Sequence, residues 1–74
     1  MSNETVEAIR RCVRAERRKR GLTQRQLAVA SGLTQSAISQ LETGPRSPNV
    51  ASLAQVAGGL GMTLAELAKL AEGA

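Results

Sequence analysis

An all-α domain of five short helices is what this 74-residue chain predicts, and three observations carry that expectation. Apolar residues recur at helical spacing from Val6 to Leu70, and no stretch alternates with period two as a strand would. The tetrapeptide Gly-Leu-Thr-Gln occurs twice, at 21–24 and 32–35, and a near-copy, Gly-Met-Thr-Leu, follows at 61–64. Each copy has the chemistry of a joint between helices. Glycine accepts the left-handed backbone just past a helix end, and threonine caps the next helix through its hydroxyl. Finally, the chain has no aromatic residue, no histidine and a single cysteine, Cys12. The interior must therefore be built from Leu, Ile, Val, Met and Ala, and neither an internal disulfide nor a Cys/His zinc site is open to it.

The first helix is expected from about Thr5 to Arg20, with residues 1–4 disordered; Val6, Ile9 and Val13 line one side of it. Cys12, three residues after Ile9, falls next to that stripe and reads as a partly buried core cysteine rather than a redox sensor. Gly21 ends this helix. Leu22 is placed to staple onto Leu27, and Thr23 with Gln26 has the spacing of a capping box. The second helix follows, Gln24 to Ala30. The joint repeats at Gly32, with Leu33 facing Ile38 and Thr34 as cap, but Ala37 stands where the box needs Glu or Gln. The third helix runs Gln35 to Glu42. After the loop at 43–49, Asn49 caps a fourth helix, Val50 to Leu60. Thr63 and Glu66 form another box, opening a fifth helix from Leu64 to Ala71. No linker or low-complexity stretch divides the chain, so residues 1–74 read as one domain.

Ten Lys/Arg against six Asp/Glu give a net charge of +4 and a pI near 10.7. That balance suits a polyanion, either nucleic acid or a membrane surface. No apolar run is long enough to span a bilayer, and the N-terminus lacks the apolar segment of a signal peptide, so a reduced, cytoplasmic setting is expected. Seven basic residues crowd Arg10–Arg20. Most of them read as a solvated face, helped by Glu7–Arg11 and Glu16–Arg20 spacing, with a general attraction to a polyanion added. Membrane binding by this helix is disfavoured because its apolar side is needed for the core. There is no histidine and no nucleophile with a recognisable base, so no enzymatic role, cofactor or metal is expected.

The second and third helices are each about two turns long and are joined by a tight turn containing Gly32, with small Ala28 one turn earlier. Two helices so joined form a helix-turn-helix. The third is about 12 Å long at 1.5 Å per residue, a match to the major groove of B-DNA, about 12 Å wide. The run LTQRQLAVASGLTQSAISQLETG, with its LTQxxLA start, Ala28, Gly32, Ile38 and closing Leu41-Glu42 before Gly44, resembles the helix-turn-helix of lambda-repressor-like (Cro/repressor, xenobiotic-response-element) DNA-binding domains. The run SPNVASLAQVAGGLGMTLAEL resembles the fourth and fifth helices of that family, so the likeness covers about residues 9–70. Two departures stand out. Gly58-Gly59 replaces better helix formers late in the fourth helix, at a cost of about 1 kcal/mol each unless another helix needs the space. The third helix carries no charge before Glu42, so any base reading would rest on amides and hydroxyls.

The resemblance implies a five-helix domain that binds operator DNA, usually as a homodimer. It places Gln35, Ser36, Ser39 and Gln40 where base edges would be met. Gln24, opening the second helix, would hold phosphate, helped by the unpaired N–H groups there. Arg25, Thr43, Arg46 and Ser47 are further candidates for backbone contact. It also implies an ion pair between Arg17 and Glu42. Leu64, Leu67 and Leu70 carry more apolar surface than one small core absorbs, so they are the expected dimer interface. The expected function is a sequence-specific transcriptional regulator, a repressor or autoregulator on a palindromic operator, resembling small stand-alone regulators such as restriction-modification controllers or antitoxin-type repressors. The chain leaves little room for a ligand-sensing domain, so no small-molecule ligand is expected. The alternative is an adaptor or coactivator-type module that keeps the fold without specific DNA binding.

Overall fold

The computed structural model describes residues 3–73. Its helices are α1 (Asn3–Lys19), α2 (Gln24–Ser31), α3 (Gln35–Thr43), α4 (Val50–Gly59) and α5 (Leu64–Gly73). The starts of α2 to α5 fall where the caps place them. α1 begins earlier than expected, so Asn3 and Glu4 are helical rather than disordered; Met1 and Ser2 lie outside the described residues. Glu4 in the first turn favours this extension, because a negative charge there complements the helix dipole.

The three joints are built alike. Gly21, Gly32 and Gly61 have φ of 69°, 69° and 75°, the left-handed conformation that glycine adopts without steric cost. The next N–H reaches back to satisfy a carbonyl of the last helical turn: Leu22 to Arg17 at 3.0 Å, Leu33 to Ala28 at 2.9 Å and Met62 to Ala57 at 2.8 Å. Then the threonine takes over. Thr23 Oγ1 accepts from the Gln26 N–H (3.1 Å) while Gln26 Oε1 accepts from the Thr23 N–H (2.8 Å), a complete box. Thr63 and Glu66 repeat it at 3.0 and 2.9 Å. Thr34 accepts from the Ala37 N–H at 3.0 Å without a return bond, since Ala37 has no acceptor to offer. Asn49 caps α4 by accepting from Ser52.

Leu27, Ile38, Leu67, Val13 and Val56 are the largest fully buried side chains, one from each helix. Leu22, Leu33 and Met62, the apolar residues of the three joints, pack against the same cluster. α2 lies against both α3 and α4, and α1 lies against α3 and α5. The crossing of α2 with α4 explains half of the Gly58-Gly59 pair. A Cβ on Gly59 would sit 2.3 Å from Ser31 Oγ and 3.2 Å from the Ser31 nitrogen, whereas one on Gly58 would meet nothing within 4 Å. Gly59 is thus the close approach, and Gly58 has no such reason. Among the described residues no single helix is long and apolar enough to cross a membrane.

Candidate nucleic-acid interface

α3 has two faces. Ile38, Leu41 and Glu42 are buried, and they leave Ser36, Gln40 and Thr43, spaced four and three residues apart, together on the outer side. Gln35, Ser36, Gln40 and Thr43 are exposed and Ser39 is half-buried on the flank. Thr43 Oγ1 donates back to the Ser39 carbonyl at 2.9 Å, so Thr43 is partly engaged within the helix. Beside this face a cleft of about 500 Å³ is bounded by Ala37, Gln40 and Leu41, the loop Pro45–Pro48, and Asn49 and Ser52 at the start of α4.

The C-terminal end of α3 is held by α1 through two buried arginines. Arg17 donates from Nε to Glu42 Oε2 at 2.6 Å and from Nη2 to Oε1 at 3.2 Å, a forked pair joining the two residues expected to meet. Its Nη1 also donates to the Leu22 carbonyl at 2.9 Å, tying in the first joint. Gln24 adds an amide donor to Glu42 Oε1 at 3.2 Å. This last bond places the start of α2 beside the end of α3 and turns one Gln24 donor inward. The first-turn N–H groups of Gln24 and Arg25 have no carbonyl one turn back to bond. Arg25, Arg46 and Ser47 are all exposed. The phosphate candidates therefore gather at the start of α2 and around the loop after α3, while the base candidates run along the outer face of α3.

Sequence reasoning missed Arg10. It is only 3 % exposed, and it donates from Nη1 to the carbonyls of Gln40 (2.9 Å) and Leu41 (2.7 Å) and from Nη2 to the carbonyl of Arg46. Counted among the solvated basic residues, it instead packs beneath α3. The signal was there: Val6, Arg10, Val13 and Arg17 follow the four- and three-residue spacing of an inward stripe, so both buried arginines occupy core positions. Cys12 is half-buried against the core; burial, and secondarily the nearby Glu16 carboxylate, push its thiol above the ordinary range. Glu16 pairs with Arg20 at 2.5 Å, and that bond lowers its carboxyl.

The three leucines expected at a dimer interface part company. Leu67 is fully buried in the chain's own core and offers no surface to a partner, which corrects that assignment. Three-residue spacing marks a stripe but does not say which member points to the centre. Leu64 packs half-buried on the core. Leu70 is 45 % exposed and, with Met62, Glu66, Lys69 and Gly73, borders a shallow hollow of ≈ 510 Å³ on α5.

Two short helices at a glycine turn, the second with a polar outer face and the first with its capped N-terminus beside the end of the second, are a helix-turn-helix DNA-binding fold. The helix-turn-helix family model matches residues 13–67, and the chain belongs to this lambda-repressor-like helix-turn-helix family. It is similar to y4dL, an uncharacterized HTH-type transcriptional regulator of Sinorhizobium fredii, with 43% identity over 59 residues. That match takes in 80% of this chain but 30% of the relative, so the chain spans less than a third of the relative's length. Among solved structures it is similar to the clp gene regulator ClgR of Corynebacterium glutamicum, at 33% identity and a TM-score of 0.80, covering 93% of this chain and 90% of that one. It is also similar to the restriction-modification controller protein C.AhdI of Aeromonas hydrophila, at 29% identity and a TM-score of 0.76, covering 84% and 94%.

Proposed function

We propose that this chain is a sequence-specific DNA-binding transcriptional regulator that acts in the cytoplasm as a homodimer on a palindromic operator. The observation that carries the reading is the outer face of α3. It is polar, uncharged and exposed, yet its helix is fixed from behind by Arg17–Glu42 and by Arg10. A polar face that served only solubility would need no such anchoring. In this reading Gln35, Ser36, Ser39 and Gln40 meet base edges; glutamine suits adenine, bonding N6 and N7 together. The start of α2, with Gln24 and Arg25, and the loop side chains Arg46 and Ser47 hold phosphates, with Thr43 at the helix end.

A two-fold dimer would present two α3 helices to successive major grooves, which is why the operator is read as palindromic. Leu70 and the hollow beside it on α5 are the proposed dimer contact, together with the half-buried Leu64 of the same helix. Repression follows most simply, because a bound dimer covers promoter DNA without a further contact. The net charge of +4 supports a backbone-driven component of binding.

The test is selection of bound sites from random duplex DNA, followed by titration of the selected site at several salt concentrations. The reading expects an inverted repeat and a steep loss of affinity with salt. Recovery of no common site, with little salt dependence, would favour the adaptor role instead.

A further inference from the structure

We propose that Arg10 is a positioning residue for DNA: it fixes the loop after α3 so that Arg46 and Ser47 are presented to the phosphate backbone. This rests on the DNA-binding reading above.

Arginine is costly to bury, and nothing in packing alone calls for one at this position. Within the basic run, Arg11, Arg18, Lys19 and Arg20 are exposed and Arg14 is half-buried, whereas Arg10 is 3 % exposed. Its donors are directed at two different segments. One arm holds the last-turn carbonyls of Gln40 and Leu41, where a cation also meets the negative end of the α3 dipole. The other arm holds the Arg46 carbonyl. This bond ties the loop between α3 and α4 to α1. Arg46 is thus bonded through its backbone while its side chain stays exposed, the condition for a fixed cation that a ligand can find ordered. The fork of a guanidinium can serve two segments at once; an ammonium is a single point of donation. Glu7, 3.6 Å from Arg10 Nε, balances part of the buried charge from outside.

The experiment is a double-mutant cycle of Arg10→Lys with Arg46→Ala, and a control cycle of Arg10→Lys with Gln24→Ala. Binding is measured on a mixed-sequence DNA duplex over a range of NaCl, with each variant's melting followed by circular dichroism so that assays stay below the transition. Arg10→Lys keeps a charge under α3 and is expected to fold. With Arg10 in place, Arg46→Ala is expected to weaken binding and lower the salt slope by about 1. In the Arg10→Lys background that decrement should largely vanish, while the effect of Gln24→Ala stays the same. An Arg46→Ala effect of equal size in both backgrounds would overturn the role of Arg10 and leave DNA binding standing. So would an Arg46→Ala variant that binds as the parent does, since there would be nothing to position. A parent protein with no salt-dependent binding would overturn both.

Discussion

Glutamines 24 and 35 occupy the same place in the same tetrapeptide, yet their side chains differ in surroundings. Gln24 is half-buried and donates to Glu42, while Gln35 is exposed at the start of α3. Only the helix that follows each joint separates them, so local sequence was silent on the difference. Glu42 is the hub, accepting from Arg17 twice and from Gln24. Removing one partner of such a buried pair strands the other charge. Arg17→Met should destabilise the domain by about 3–5 kcal/mol in urea unfolding, and Arg17→Met with Glu42→Leu by distinctly less. A double variant as unstable as the single would mean the pair itself contributes net stability. Cys12 gives a second check. With its thiol pushed up by burial, fewer molecules are ionised at about pH 8 than for a free thiol. Maleimide should label it slowly in the folded protein and at the ordinary rate in urea. Its sign for stability is a loss as pH rises past the unfolded value, because the unfolded chain gives up the proton first.

The joints between helices were the most legible feature of the chain, because cap chemistry is local. Glycine, an apolar residue and threonine in sequence mark three helix starts and Asn49 marks a fourth, and each cap accepts the N–H three residues on, with a return bond at Thr23 and Thr63 but not at Thr34. What depends on depth was harder to read. Spacing marked Leu64, Leu67 and Leu70 as a stripe but could not place Leu67 at the centre of the core. Charge marked Arg10 as surface, although its position in the α1 stripe pointed inward. The Arg17–Glu42 pair came from family likeness, since nothing local links residues 25 apart in the chain. The double glycine of α4 yields a prediction at this scale. Gly58 faces open space, so Gly58→Ala should stabilise the domain by about 0.4–1 kcal/mol by restricting the unfolded chain. Gly59→Ala should destabilise it, since the added methyl would meet Ser31 backbone as well as its hydroxyl. Thermal melts of the two variants should move in opposite directions.

At the scale of the molecule, one copy measures 28 Å along its longest axis. Recognition helices on successive turns of DNA lie about 34 Å apart, so one copy cannot place readers in both grooves. In the proposed dimer a second copy supplies the other reader and, at the α5 hollow, covers Leu70. Leu70→Asp, on an exposed position, should leave the melting temperature nearly unchanged while shifting sedimentation to monomer and weakening binding to a two-half-site operator. Leu67→Ala should instead behave as a core truncation, costing about 2–5 kcal/mol of stability. On the proposed reading, the outer face of α3 reads sequence while α2 and the loop hold the backbone. The direct measurement is the affinity of Gln35→Ala, Gln40→Ala and Gln24→Ala variants for the selected operator and for each of its single-base variants. Gln35→Ala or Gln40→Ala should cost about 1–3 kcal/mol on the preferred site and flatten the preference at one base position, whereas Gln24→Ala should lower all affinities together. If Gln35→Ala and Gln40→Ala both weaken every site equally, α3 does not read bases and the claim fails.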